Sequence, residues 1–375
     1  MAAGSIVATK MYGYDWWAGR YEATADALAE AGTNLVLAQN PLDPLPASDV
    51  QQVRPAGDYD DLRLRRELRA RGIRCFESTA MFFQPGHYRQ RADLRPVGAD
   101  GAEMTPADWY VGLCPSSEEY LDERVRLLQR VVTELEADGL FLSFIRFPGF
   151  WETWTPGVER TAIREYCFCS RCRERFSRET GHDLPGDVRS AAALLQGQLR
   201  PQWTRWKCDL ITGVVRRVRE AVDEVAPGTE LMINKVPFTG DEFGGISEEV
   251  LGQRVESLAE VADYFEVMTY HQILMQAPAT WIPAVVAALR ARTRRKIIPC
   301  LQVRATYTDG IYAAAGRRPE IGPGEFRETV EAVASSGADG IMTYHWSDVL
   351  REDAASDGAF SGALRRFATV MTGDR

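Results

Sequence analysis

The sequence predicts a (β/α)8 barrel, α/β in class, that covers residues 1–375 as a single domain. Eight short apolar segments rich in β-branched residues alternate with longer amphipathic segments along the whole chain. Several amphipathic segments end at Gly or Pro, which is typical of helix C-termini. A length of 375 residues accommodates eight strand-helix pairs with insertions.

The predicted strands follow one another at regular intervals. In order they are SIVATKMY, TNLVLAQN, IRCFESTAM, GLFLSFIRF, TELMINKV, YFEVMTYH, KIIPCLQV and GIMTYHW. The predicted helices between them include EATADALAEAG, LDERVRLLQRVVTELEADG, LITGVVRRVREAVDEVAPG, PAVVAALRARTRR and GEFRETVEAVASSGADG. A doubly wound open sheet is the alternative fold. That fold calls for a Gly-rich first turn, whereas GYDWWAGRY follows the first strand here.

Two loop insertions interrupt this rhythm, at about residues 83–117 after the third strand and 149–202 after the fourth. In a (β/α)8 barrel the loops that follow strands lie at the C-terminal face, where active sites are built. We therefore expect the two insertions to lie beside the functional site.

Composition narrows the classes of partner. The net charge is −9 with acidic and basic residues interspersed, which argues against a nucleic-acid partner. The N-terminal sequence lacks the basic start and apolar run of a signal peptide, and no stretch is long enough for a membrane span. We expect a cytoplasmic protein without a membrane partner.

Four cysteines have the spacing of a metal site. Cys167, Cys169 and Cys172 form a Cys-x-Cys-x-x-Cys motif in YCFCSRCRERF, and Cys114 in GLCPSSEEY is the natural fourth ligand. Four thiolates leave no open position, so the expected Zn²⁺ is structural and not catalytic. The alternative is a set of unpaired thiols in a reducing cytosol.

The run GLCPSSEEY, followed by a helix, a barrel strand and YCFCSRCRERF, resembles the family 42 β-galactosidases and related glycoside-hydrolase barrels over roughly residues 111–181. The resemblance implies that these four cysteines hold a structural zinc. The fourth strand, FLSFIRFPGFWE, departs from the family because Arg146 and Phe147 stand where an Asn-Glu pair with the general acid/base would fall. It also resembles LDFIRFP of an uncharacterised group of glycosidase-like barrels, with Ser143 in place of their aspartate.

Glycoside hydrolysis usually needs two carboxyl groups on either side of the scissile bond. Glu266 on the sixth strand and Glu152 after the fourth are the first two candidates, and Asp15 after the first strand is the third. Each has an alternative interpretation. Glu266 would instead pair with Lys10 or Arg146, Glu152 would be an ordinary loop residue, and Asp15 would cap a turn. Glu77 on the third strand is a deeper candidate.

Polar and aromatic side chains concentrate at the predicted C-termini of the strands, as a pocket for a polar ligand requires. The expected substrate-binding residues are Arg146, Lys235, Tyr270, His271, Gln302, Tyr344, His345 and Trp346. Tryptophans in the same loops, including Trp109, Trp151 and Trp154, have faces suited to stacking on a sugar ring, or they simply close the barrel.

We therefore expect a glycoside hydrolase that acts on a small glycoside or oligosaccharide. The first alternative is a carbohydrate-binding barrel that has lost catalysis, for which Ser143 and Arg146 are the motivating residues. The second is a lyase or isomerase that acts on an acidic sugar through Lys235, His271 and Arg146. Homo-oligomers are common among relatives of this type, although nothing in the sequence itself predicts one.

Overall fold

The computed structural model describes residues 5–13, 17–43, 59–240 and 242–372. Eight parallel strands close into a barrel in which each strand pairs with the next and β8 pairs with β1. The strands are β1 Ile6–Met11, β2 Leu35–Gln39, β3 Arg74–Ala80, β4 Gly139–Ser143, β5 Glu230–Lys235, β6 Tyr264–Thr269, β7 Lys296–Gln302 and β8 Gly340–Tyr344. The predicted (β/α)8 fold is confirmed.

Helices surround the barrel and fill the insertions. They are α1 Tyr21–Glu30, α2 Asp61–Ala70, α3 Pro85–Gln90, α4 Glu118–Glu134, α5 Ser170–Thr180, α6 Val188–Gln196, α7 Arg200–Val225, α8 Ile246–Glu249, α9 Val255–Val261, α10 Pro278–Arg290, α11 Pro323–Ser335, α12 Trp346–Ser356 and α13 Ala359–Thr372. Within the described ranges, none of these helices combines the length and the apolarity that a membrane crossing requires.

Alternate residues of each strand point into the barrel, where large apolar side chains form its packed interior. The buried cluster includes Ala8, Leu37, Phe76, Phe141, Met232, Tyr264, Ile298 and Met342. Gly139 shows how tightly this layer fits, because a Cβ at that position would lie 2.5 Å from the Phe76 ring. Only glycine therefore allows β4 to pass beside that ring.

Glu77 of β3 belongs to the outer face of the barrel. Its carboxylate receives hydrogen bonds from Nε and Nη2 of Arg65 on α2, at 2.7 and 2.6 Å. Burial raises the pKa of Glu77, against the opposing charge of Arg65. This carboxylate is therefore part of the strand-helix interface and not of the barrel mouth.

The two predicted insertions occupy residues 81–117, which include α3, and residues 144–199, which include α5 and α6. Backbone contacts join them directly. Phe168 N donates to Val97 O at 2.8 Å, and Gly98 and Tyr166 form an antiparallel bridge. The long loops after β3 and β4 thus form one connected layer.

Candidate functional site

Glu152 lies where the loop after β4 crosses the barrel mouth, in a 3-10 turn formed by Trp151–Thr153. The side chain is buried, and its Oε2 atom has no hydrogen-bond partner in the described part of the chain. Arg317 holds the turn in place by donating from Nη2 to the Glu152 carbonyl oxygen at 2.6 Å.

The environment of Glu152 favours the protonated acid. Burial raises its pKa from 4.5 to about 7, and the charges of Arg146 and Arg317 offset burial only in part. Trp151 is fully buried beside it, and its ring centroid lies 5.9 Å from that of Tyr270. A carboxyl group with these properties can donate a proton near neutral pH.

Arg146 is a second unusual group in the same loop. It is only 2% exposed, yet Nε and Nη1 have no hydrogen-bond acceptor among the described residues. Its guanidinium carbon lies 5.0 Å from the centre of the Phe144 ring. Phe144, directly after β4, has a φ of +53°, a strained conformation for a bulky residue. This strain lies at the point where the chain turns from β4 into the loop that carries Glu152.

Glu266 lies deeper in the barrel, where it faces Lys10 of β1. The Lys10 ammonium is 2.9 Å from Glu266 Oε1 and 3.4 Å from the Tyr270 hydroxyl. Burial works against the charge on Lys10, but the acidic groups around it, including Cys300 and Glu266, outweigh burial and raise its pKa. Of the two interpretations of Glu266, the structure thus contains the ion pair with Lys10.

Three tyrosines form the wall between this pair and the mouth. The Tyr344 ring centroid lies 5.2 Å from that of Tyr270 and 6.4 Å from that of Tyr12. Lys10 Nζ is 5.1 Å from the centre of the Tyr344 ring. Tyr270 and Tyr344, both expected as substrate ligands, therefore lie side by side above the ion pair.

His345 and Trp346 follow Tyr344 at the end of β8. The Nδ1 atom of His345 lies 2.8 Å from the Ser347 hydroxyl and 3.5 Å from a carboxylate oxygen of Asp348. Burial lowers the pKa of His345, and the Asp348 charge opposes this only partly. Trp346 is buried and begins α12. His345 remains partly exposed at the mouth, whereas Trp346 belongs to the core.

Three other expected substrate ligands are engaged with the protein itself. Lys235 Nζ donates to two backbone carbonyls at 2.9 Å and to the Ser247 hydroxyl at 2.6 Å, and burial lowers its pKa to about 7. His271 Nε2 lies 2.6 Å from a carboxylate oxygen of Glu325. Gln302 Oε1 accepts from the backbone N of Ile273 at 3.0 Å. These side chains brace the loops that follow β5, β6 and β7. Asp15 lies outside the described residues.

An aromatic cluster covers the mouth, and most of its members were not anticipated from the sequence. Trp109 Nε1 donates to the Tyr307 hydroxyl at 2.7 Å, which links the loops after β3 and β7. The rings of Tyr110 and Phe150 stack with centroids 5.8 Å apart. Arg317, also missed, lies over the Tyr307 ring at 5.9 Å. No periodic pattern marks these residues, because they come from three irregular loops.

The four cysteine sulfurs converge between the two insertions. They all lie within 4.8 Å of one another, and Cys114 Sγ is 3.7 Å from Cys169 Sγ and 3.5 Å from Cys172 Sγ. A regular zinc-thiolate tetrahedron with bonds of about 2.3 Å separates its sulfurs by about 3.8 Å. The amide of Val97 donates to Cys167 Sγ at 3.4 Å, as a metal-bound thiolate would accept. The cluster can therefore hold a tetrahedral metal ion.

The eight parallel strands and their surrounding helices define the chain as a (β/α)8 barrel, a fold that it shares with solved glycoside hydrolases. The chain is similar to the glycoside hydrolase domain of PgaB from Bordetella bronchiseptica, with 16% identity, a TM-score of 0.65 and 99% of both chains covered. It is similar to the catalytic domain of β-amylase from Paenibacillus polymyxa, with 11% identity, a TM-score of 0.62, and 98% of this chain and 99% of that chain covered.

A family 42 β-galactosidase from G. stearothermophilus is also similar, with 14% identity and a TM-score of 0.66. The likeness covers 100% of this chain but only 58% of the galactosidase, so this chain spans somewhat more than half of its length. The resemblance drawn from the cysteine motifs is confirmed at the level of the fold. No family profile and no curated protein sequence matches the chain.

Proposed function

We propose that the protein is a glycoside hydrolase that cleaves a small glycoside or oligosaccharide at the barrel mouth, with Glu152 as the proton donor. The observation that carries this proposal is the buried Glu152 carboxyl, with an unpartnered Oε2 and a pKa raised by burial to about 7. A glycosidic oxygen must receive a proton as it leaves, and a carboxyl group that is still protonated near neutral pH supplies it.

The second carboxyl group would act as nucleophile or base, and Glu266 and Asp15 are the two candidates. Glu266 lies below Tyr270 and Tyr344, and its carboxylate already contacts the Lys10 ammonium. Asp15 follows β1 in the sequence. The aromatic faces of the mouth, with Trp109 and Tyr307 partly exposed, would hold the sugar rings.

Leaving-group chemistry tests the role of Glu152. We expect Glu152→Gln to lower kcat/KM on a methyl or 4-methylphenyl glycoside by roughly 10²–10⁴-fold, because proton donation is lost. The loss should be much smaller on the matching 2,4-dinitrophenyl glycoside, whose leaving group needs no proton. Glu159→Gln is the matched control, since Glu159 is an exposed glutamate in the same loop. If Glu152→Gln lowered kcat/KM equally on both substrates, the assignment of Glu152 as proton donor would be contradicted. An unchanged kcat/KM on both substrates would contradict it as well.

A catalytically inactive carbohydrate-binding barrel is the second candidate. Ser143 at the end of β4 and the neutralisation of Glu266 by Lys10 favour it. A panel of α- and β-linked nitrophenyl glycosides, assayed together with Glu266→Gln and Asp15→Asn, separates the two functions. Sugar binding without any turnover would support the inactive barrel, whereas turnover that one of these variants abolishes while it remains folded would identify the second carboxyl group.

We propose that the ion held by Cys114, Cys167, Cys169 and Cys172 is a structural Zn²⁺ in a cytoplasmic protein. The sulfur separations support zinc, and none of the seven cysteines forms a disulfide, as in a reducing compartment. The ion would contribute no catalytic step. It would cross-link the two insertions and so fix the loop from which Glu152 reaches the mouth.

A further inference from the structure

Arg146 differs from every other buried arginine in the described part of the chain. The four buried arginines are Arg65, Arg124, Arg146 and Arg317. Arg65 and Arg124 pair with Glu77 and Asp43 at 2.6 and 2.5 Å, and Arg317 donates to two backbone carbonyls. Arg146 has no carboxylate within 4.0 Å among the described residues, and two of its nitrogens have no acceptor.

A guanidinium in this state is costly to bury, because it has lost its hydration and gained no counter-charge. The position of Arg146 indicates what would compensate it. Its charge acts on Glu152, whose pKa it lowers, and on the Tyr110 hydroxyl. Arg146 and Glu152 thus lie close enough to interact through their charges, although they form no ion pair with each other.

We propose that Arg146 forms an anion subsite beside Glu152, and that the preferred substrate carries a carboxylate on the sugar, as a uronic-acid glycoside does. This inference rests on the proposed glycosidase function, whose substrate class it specifies. Arginine pairs with planar carboxylates through parallel hydrogen bonds, which would satisfy the donors that the protein leaves free.

The charges around the mouth favour a monoanion over a phosphate. Lys10 is neutralised by Glu266, and Arg317 is held by carbonyl oxygens, so Arg146 is the buried cation with free donors in the described part of the mouth. One guanidinium matches the single charge of a carboxylate. A phosphate dianion would bring a second negative charge close to Glu152.

The test measures binding and turnover separately. Thermal stability of the wild type is recorded with glucuronate, galacturonate, glucose, galactose and glucose 6-phosphate at equal ionic strength. Nitrophenyl glucuronides and glucosides of both anomeric forms are compared as substrates. The variants are Arg146→Gln and Arg146→Lys. The control is Arg164→Gln, which removes an exposed arginine of the same insertion.

We expect a uronate to raise the melting temperature of the wild type and of Arg164→Gln but not of Arg146→Gln. We also expect at least a tenfold preference in kcat/KM for the uronide, lost in Arg146→Gln and partly kept in Arg146→Lys. Without ligand, Arg146→Gln should melt no lower than the wild type, because an unpaired charge has been removed. A purely structural arginine would instead give a lower melting temperature and an unchanged preference, which would overturn the proposal.

The outcomes for the two proposals are distinct. Turnover of neutral glycosides with no dependence on Arg146 would overturn the anion subsite and leave the glycosidase function standing. Stabilisation by a uronate that depends on Arg146, with no glycoside turned over, would support the subsite and contradict the glycosidase function. Stabilisation by glucose 6-phosphate alone would overturn the assignment to a carboxylate.

Discussion

The ammonium of Lys10 on β1 lies 2.9 Å from a carboxylate oxygen of Glu266 on β6, inside the barrel. Both side chains are at most 5% exposed, and neither Glu266 oxygen has a well-aligned hydrogen bond within the described residues. The pair therefore depends on charge attraction in a poorly hydrated interior. Each member needs the other, because either one alone would be an uncompensated buried charge.

This dependence predicts a strongly non-additive pair of substitutions. Lys10→Met and Glu266→Gln should each lower the free energy of unfolding by about 3–5 kcal/mol, since each leaves a buried charge without its partner. The double variant should lose much less than the sum of the two. Urea unfolding of the four proteins measures this coupling. Additive losses would show that the two side chains act independently.

The barrel itself was predictable because strand alternation and helix periodicity are local properties of the chain. β1 through β8 lie within the eight predicted segments, and the connections after β3 and β4 are the long ones. The convergence of Cys114 with the Cys167–Cys172 motif was also predictable, because three closely spaced thiols need one more soft ligand to complete a tetrahedral metal site.

Whether an individual strand side chain points into or out of the barrel was harder to predict. Lys235 and Glu77 were both candidates for the mouth, yet each points out of the barrel towards a helix or loop. If the assumed alternation is shifted by one residue, every side chain of the strand is assigned to the opposite face. Only tertiary packing determines which face points into the barrel. The contact between Trp109 and Tyr307 joins two irregular loops far apart in sequence, for which no periodic pattern exists.

The zinc proposal predicts both stoichiometry and stability. Protein purified under reducing conditions should contain one zinc per chain, and Cys114→Ser should lose most of it and melt at a lower temperature. Cys208→Ser is the matched control, because Cys208 is a buried thiol outside the cluster. Elemental analysis together with calorimetry measures both effects. Metal-free wild-type protein of undiminished stability would contradict the proposal.

The close packing of Gly112 against Pro148 predicts that the first insertion helps to position the loop that carries Glu152. A Cβ at this position would lie 2.5 Å from Pro148 Cβ and 3.0 Å from the Tyr110 hydroxyl, so Gly112→Ala must displace the chain after β4. We expect a destabilisation of about 1–3 kcal/mol from overpacking and a reduced kcat.

The control for this substitution is Gly86→Ala. Gly86 lies in α3 of the same insertion, and a Cβ there would meet nothing within 4 Å. The stability and activity of the Gly86→Ala variant should stay close to those of the wild type. If Gly112→Ala were equally silent, the contact between the two loops would not position Glu152. Thermal melts and steady-state kinetics on the same glycoside compare the two variants.

The raised pKa of Glu152 predicts the pH dependence of activity. A proton donor works only while it is protonated, so kcat/KM should fall as the pH rises through about 7. In Glu152→Gln the residual kcat/KM should not show this decrease at alkaline pH. If the variant showed the same decrease, the titration would belong to another group. The measurement is a profile of kcat/KM from pH 4 to 9 on a glycoside with a poor leaving group.

The same group predicts how stability changes with pH, and this measurement needs no substrate. In the unfolded chain Glu152 loses its proton near 4.5, whereas in the folded protein burial keeps the proton until about 7. Its contribution to stability is therefore complete below about pH 4.5 and is lost as the pH rises through 7. Glu152→Gln has no proton to lose.

The difference in free energy of unfolding, variant minus wild type, should therefore increase between pH 5 and pH 8 by at most about 3 kcal/mol. Urea unfolding at pH 5, 6, 7 and 8 gives the two curves, and curves that stay parallel would mean that the carboxyl group titrates normally and is not the buried acid described above.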